Sequence, residues 1–88
     1  MRYRVIWDPN AFENLVRQWT AAGQPESAIE AFDQIESILS NDADEQGESR
    51  KGERRILIVL PLGVVFRAFP EEGEVYLLGA WMIRPKPQ

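Results

Sequence analysis

The chain has 88 residues, with 10 Lys and Arg against 14 Asp and Glu, and contains neither Cys nor His. That length allows one small domain, which buries only a little over roughly 60% of its unfolded surface. Disulfide staples are excluded and a transition-metal site is disfavoured, so a partner chain is the natural reinforcement for a marginal core.

The charges are unevenly placed. Residues 1–48 hold three positive and ten negative side chains, whereas residues 49–88 hold seven positive and four negative. A bipolar chain of this kind does not suit broad, salt-driven wrapping of nucleic acid, which needs positive potential over many phosphates. It suits a local anion site or a partner of complementary charge. The longest apolar run, Ile56 to Val65, is too short to span a membrane and is broken by Pro61 and Gly63. Met1 to Trp7 alternates and includes two arginines, so no secretory segment is expected there. A soluble, cytoplasmic protein is the expectation, in keeping with the lack of Cys.

The elements follow in order. Arg2 to Trp7 reads as a strand, with Tyr3, Val5 and Trp7 on one face and Arg2, Arg4 and Ile6 on the other. Asp8 is placed to cap a helix with Pro9 in its first turn, where a missing N–H costs nothing. Phe12, Leu15, Val16 and Trp19 then recur at helical spacing, and Glu13 and Arg17 form an i, i+4 pair outside the stripe. Gly23 ends this helix and Pro25 starts the next, whose face is Ala28, Phe32, Ile35 and Leu39, broadened by Ile29 and Ile38. So short a link predicts an antiparallel helix hairpin.

From Ser40 to Glu53 no apolar periodicity survives, and the segment reads as a long polar loop, of the kind that often carries function in small domains. Three strands are predicted after it, Arg55 to Leu60, Val64 to Phe69 and Glu74 to Ile83. They are joined by turns at Pro61-Leu62-Gly63 and Pro70-Glu71-Glu72-Gly73 into an antiparallel meander. Ile56, Ile58 and Leu60 are expected on one face with Val64, Phe66 and the set Val75, Leu77, Gly79 and Trp81. Leu57, Val59 and Leu78 are apolar as well, which leaves the buried face open at this point. The expected fold is α+β, in the order β-α-α-β-β-β, with the hairpin on a small, largely antiparallel sheet. Residues 1–83 form the single domain and residues 84–88 a flexible tail, in which Pro85 and Pro87 prevent a stable helix.

The main cationic cluster runs from Gly47 to Arg55 and contains Arg50, Lys51, Arg54 and Arg55. Its plain reading is a solvated loop and strand edge. Arg54 and Arg55 must point to opposite faces of a strand, so no more than one joins a given anion site. Arg55 aligned with Arg67 across the hairpin would make a basic pair, although either could instead pair with Glu53 or Glu74. Trp7 and Trp19 read as core. Trp81, beside Met82 and Arg84, reads as an interface anchor. The acidic group Asp42, Asp44, Glu45 and Glu48 lacks the spacing of an EF-hand, so no metal and no cofactor is expected.

The element order, the run "DPNAFENL" after the first strand, "GESR" in the loop and "RRILIVLPLGVVFRAF" through the first β-hairpin resemble the RelE/ParE superfamily of type II toxin–antitoxin toxins, including plasmid-stabilisation proteins. The resemblance covers nearly the whole chain. It implies a toxin neutralised by a cognate antitoxin in a hetero-oligomer, acting either on a protein such as DNA gyrase or, in RelE-like members, on messenger RNA in the ribosome. For the ribonuclease it implies basic groups near the loop and first meander strand, answered here by Lys51, Arg54 and Arg55, and a terminal Arg, answered by Arg84. An Arg at the start of the second meander strand is replaced near Gly63 and Val64, and no Tyr follows Tyr76. Those departures favour the protein-directed toxin, with Arg50, Arg55, Arg67, Trp81, Met82 and Arg84 as partner-binding residues. The alternatives are a ribosome-dependent endoribonuclease, with Arg67 or Glu53 substituting for missing groups, and a decayed member that binds antitoxin without toxicity.

Overall fold

The computed structural model describes residues 2–23 and 25–83. It is an α+β domain of two helices and a five-stranded, mostly antiparallel sheet. Strand β1 spans Arg4–Trp7, and helices α1 and α2 span Pro9–Ala21 and Glu26–Leu39. Strands β2, β3, β4 and β5 span Glu48–Ser49, Arg55–Val59, Leu62–Phe69 and Glu74–Met82. The sheet order is β1-β5-β4-β3-β2, and β1 lies parallel to β5. Among the described residues no helix is long and apolar enough to cross a membrane.

The start of α1 follows from its sequence. Asp8 is extended, and its carboxylate accepts the Asn10 N–H at 2.7 Å, while Pro9 occupies the first turn. The chain leaves α1 through Gly23 at φ +84°, and Pro25 is the residue before α2. α1 lies along β5, and α2 lies against β3 and β4. Ala11 and Leu15 face the sheet from α1, and Ala28, Ala31, Ile35 and Leu39 do so from α2. The expected apolar stripe of α1 is therefore divided: Leu15 enters the core, whereas Phe12 and Val16 remain substantially exposed.

The segment 40–53 is more ordered than its lack of periodicity suggests. Ala43 to Glu45 form a 3-10 turn, Glu48–Ser49 pair with β3, and Lys51 to Glu53 form a second 3-10 turn. Ala43 is completely buried and pins the segment to the core. Tyr3, itself buried, donates its hydroxyl to Asp44 at 2.8 Å, which ties the strand leading into β1 to the same turn. Gly47 lies so close to β3 that a Cβ there would come within 2.4 Å of the Ile56 carbonyl oxygen.

The meander forms, but its residues are not shared between the two faces as expected. Val59 pairs directly with Leu62, so the connection is Leu60-Pro61 and not Pro61-Leu62-Gly63. This register sets Leu57 opposite Val64, and Leu57 and Val59 pack against the core. Ile58 and Leu60 are exposed instead. On β5 an extra residue, Leu78, is accommodated where pairing steps from Phe66↔Leu77 to Val65↔Gly79. A bulge shifts the side-chain alternation by one residue. Val75 and Leu77 therefore share the core with Ala80 and Met82, while Gly79 and Trp81 turn to the other face.

Candidate functional site

Among the described residues, two surfaces stand out once the core is packed. The first is a groove between α1 and α2. Its walls are Phe12, Val16 and Trp19 from α1 and Ile29 and Phe32 from α2, and Leu15, Ala28 and Leu62 complete it. The groove encloses about 180 Å³ and presents only apolar surface. Phe12 at 43% and Ile29 at 46% exposure are large apolar side chains left in water by the isolated chain. Trp7 holds the near end: its ring stacks on Phe32 at 5.3 Å and meets Phe12 edge-on at 5.7 Å, and its N–H reaches Glu36 at 3.2 Å. Trp19 donates to the Pro25 carbonyl at 3.4 Å. Both indoles are thereby structural, with their polar atoms satisfied.

The second surface is the face of the sheet away from the helices. At one end of it lies an open recess of about 590 Å³, of mixed polar and apolar surface, lined by Gly52, Arg54, Arg67, Phe69, Glu72, Glu74, Tyr76 and Leu78. The Arg67 guanidinium reaches Glu53 at 2.7 Å and lies 4.8 Å from the Phe69 ring centre. Its Nε–H is buried without an acceptor. Across the strand pair from Arg67, Tyr76 donates to Glu74 at 3.2 Å, and Glu74 also accepts from Arg4. The Arg4 guanidinium and the Tyr76 hydroxyl hold the Glu74 carboxyl below its usual range. The Glu74 charge, and its hydrogen bond, push the Tyr76 phenol up. Both shifts move these groups away from neutral pH, which suits a fixed ion-pair network better than proton transfer.

The residues singled out in the sequence are dispersed. Arg54 lines the recess, and Lys51 lies in the exposed turn before it. Arg55 belongs to the opposite face: it pairs with buried Phe66, and its guanidinium donates to the carbonyls of Gln46 and Gly47 at 3.1 and 3.2 Å. It braces the loop and is not aligned with Arg67. Arg50 pairs with Glu48 at 3.0 Å at the sheet edge. Trp81 is half-buried on the bare face, its ring laid over Gly63 so closely that a Cβ there would meet it at 2.6 Å. Met82 points to the core side, and its N–H donates to the Gln18 side chain at 2.8 Å. Trp81 and Met82 thus do not share a surface. Arg84 lies outside the described residues.

Phe69, Glu72 and Tyr76 did not figure among the candidate site residues, and Glu74 figured only as a possible ion-pair partner of Arg55 or Arg67. The tight turn after Phe69 was the available signal, because it sets Phe69 opposite Glu74 and hence Arg67 opposite Tyr76. Among the described residues no cluster of potential ligands is arranged to hold a metal ion. No known family model matches the sequence, and no curated protein matches it.

Proposed function

We infer that this protein is a RelE/ParE-type toxin module, directed at a protein target such as DNA gyrase and held inactive in the cytoplasm by an antitoxin segment seated between α1 and α2. The observation that carries the reading is the apolar groove, a preformed channel with Phe12, Val16 and Ile29 in solvent. A groove of this kind accepts the apolar face of an amphipathic partner helix. Beside it on α2, Glu26, Glu30 and Asp33 are exposed, so the partner's flanks should be basic. The observed order β-α-α-β-β-β-β keeps the expected strand, two helices and meander and adds the short β2 before the meander. The protein-directed reading is favoured over a ribonuclease because Arg55 is committed to the loop carbonyls on the face opposite Arg54 and the shifted groups of the recess are driven away from neutrality.

Co-expression with the adjacent reading frame tests the proposal. Expression of the chain alone should arrest growth, and the neighbour should relieve the arrest and co-purify with the chain. Val16→Glu together with Ile29→Glu should abolish the co-purification. Absence of both arrest and complex would overturn the proposal, whereas a tight complex with harmless expression would point to a decayed toxin. Cleavage of ribosome-bound message that disappears with Lys51→Ala and Arg54→Ala would reassign the protein to the ribonuclease class.

A further inference from the structure

We propose that the recess on the bare sheet face binds a phosphomonoester and that Glu53 is a tethered carboxylate occupying the ligand's place on Arg67. The proposal is independent of the antitoxin groove and of the toxin reading.

Three observations converge on it. Arg67 is already engaged by an oxyanion, the Glu53 carboxylate at 2.7 Å, yet its buried Nε–H has no acceptor. A planar guanidinium with a donor unused presents part of its fork to a further oxygen. Second, the nearby cations exceed what the recess neutralises. Arg54 lines it, Lys51 precedes its lining residue Gly52 in the chain, and neither has a carboxylate partner among the described residues. Glu74 is committed to Arg4 and Tyr76, which leaves Glu72 as the opposing charge on the rim. Releasing Glu53 would free Arg67 to join Arg54 and Lys51 around one ligand, a set that suits a dianion with three terminal oxygens better than a carboxylate.

The third observation concerns Glu53 itself. It has φ +62°, immediately after Gly52 at φ +74°, so a non-glycine residue is held in the left-handed region by a two-residue turn. That conformation is disfavoured for an L-residue, whose Cβ crowds the neighbouring carbonyl oxygen. Strain of this kind, beside an ion pair whose carboxylate side chain is 78% exposed, marks a contact that gives way readily. The recess, at about 590 Å³, has room for a phosphate with a small organic group attached. The rings of Phe69 and Tyr76, edge to face at 5.4 Å, form its apolar wall.

Titration of the full chain with inorganic phosphate at fixed ionic strength, followed by calorimetry and by amide shifts, tests the site. Glu53→Gln should bind phosphate about two- to fivefold more tightly than the wild type, the upper part of the range expected when an exposed ion pair no longer competes. Glu72→Gln removes the same charge from the rim without freeing Arg67 and should gain less than Glu53→Gln. Arg67→Gln in the Glu53→Gln background should lose at least about tenfold, with circular dichroism confirming the fold. An unchanged phosphate affinity in Glu53→Gln overturns the proposal, as does an equal gain in Glu72→Gln, which would reduce the effect to net charge. An equal gain for acetate, or for a uridine oligomer without terminal phosphates, overturns the assignment to a phosphomonoester.

Discussion

The two faces of the sheet are made by the same strands and differ in almost every physical respect. On the helix side Leu62, Val64, Phe66, Val75 and Leu77 are at most 1% exposed and form one continuous cluster with α1 and α2. On the other side Ile58 is 55% and Leu78 39% exposed, Trp81 lies over Gly63, and the charged network of Arg4, Arg67, Glu53 and Glu74 closes one end. Alternation along a strand gives adjacent residues opposite fates, so stability concentrates on one face and the other is left largely in solvent.

The sharpest way to break this contrast is to remove side chains of similar character from each face. Phe66→Ala, a fully buried site on the helix side, should cost about 3–5 kcal/mol in urea unfolding, enough to unfold a marginal domain. Gly63→Ala tests the packing of the bare face. The new methyl collides with the Trp81 ring, and a cost of about 1–3 kcal/mol is expected from overpacking. Adding Trp81→Ala should recover part of that cost, and strict additivity of the two changes would contradict the close approach.

Tyr3→Phe probes the tie between the first strand and the Ala43 turn. It removes the hydroxyl bond to Asp44 and should cost about 1–2 kcal/mol at neutral pH. Burial, reinforced by the Asp44 carboxylate, pushes the Tyr3 phenol from 10.0 up to about 12. The raised value means the folded state holds the proton more tightly than the unfolded chain. The stabilisation is therefore complete below pH 10 and lost as pH rises through about 12. A wild-type stability profile that falls more steeply than that of Tyr3→Phe across this window is the expected result. The smallest effect belongs to Ile58→Thr, which should shift stability by no more than about 0.5 kcal/mol because the side chain is mostly in water already.

Much of the fold was legible in the residues. Asp8 and Pro9 mark the start of α1, Gly23 and Pro25 mark the break between helices, and the turn 70–73 joins β4 to β5, because each depends on chemistry local to a few residues. The short pairing of Glu48–Ser49 with β3 was not legible, since two polar residues carry no strand period. Of the candidate site, the cationic loop was visible, but its division was only partly so. Alternation separates Arg54 from Arg55, whereas the loss of Arg55 to the carbonyls of Gln46 and Gly47 depends on where the loop folds back. Glu53 as the partner of Arg67 was one of several pairings the charges allowed.

By itself the sequence determined the two helices and the four longer strands in their order, the acidic helical half and the basic strand half, because composition, caps and turn residues act over short distances. Tertiary structure alone decided which face of the sheet is buried. Ile56, Leu57, Ile58 and Val59 are all apolar, so their pattern specifies no face. The choice came from the pairing of Val59 with Leu62 around Leu60-Pro61 and from the extra residue at Leu78 on β5. A one-residue change of register exchanges the two faces of a strand. That exchange placed Ile58 and Trp81 on the open side and Leu57, Val59 and Met82 toward the core.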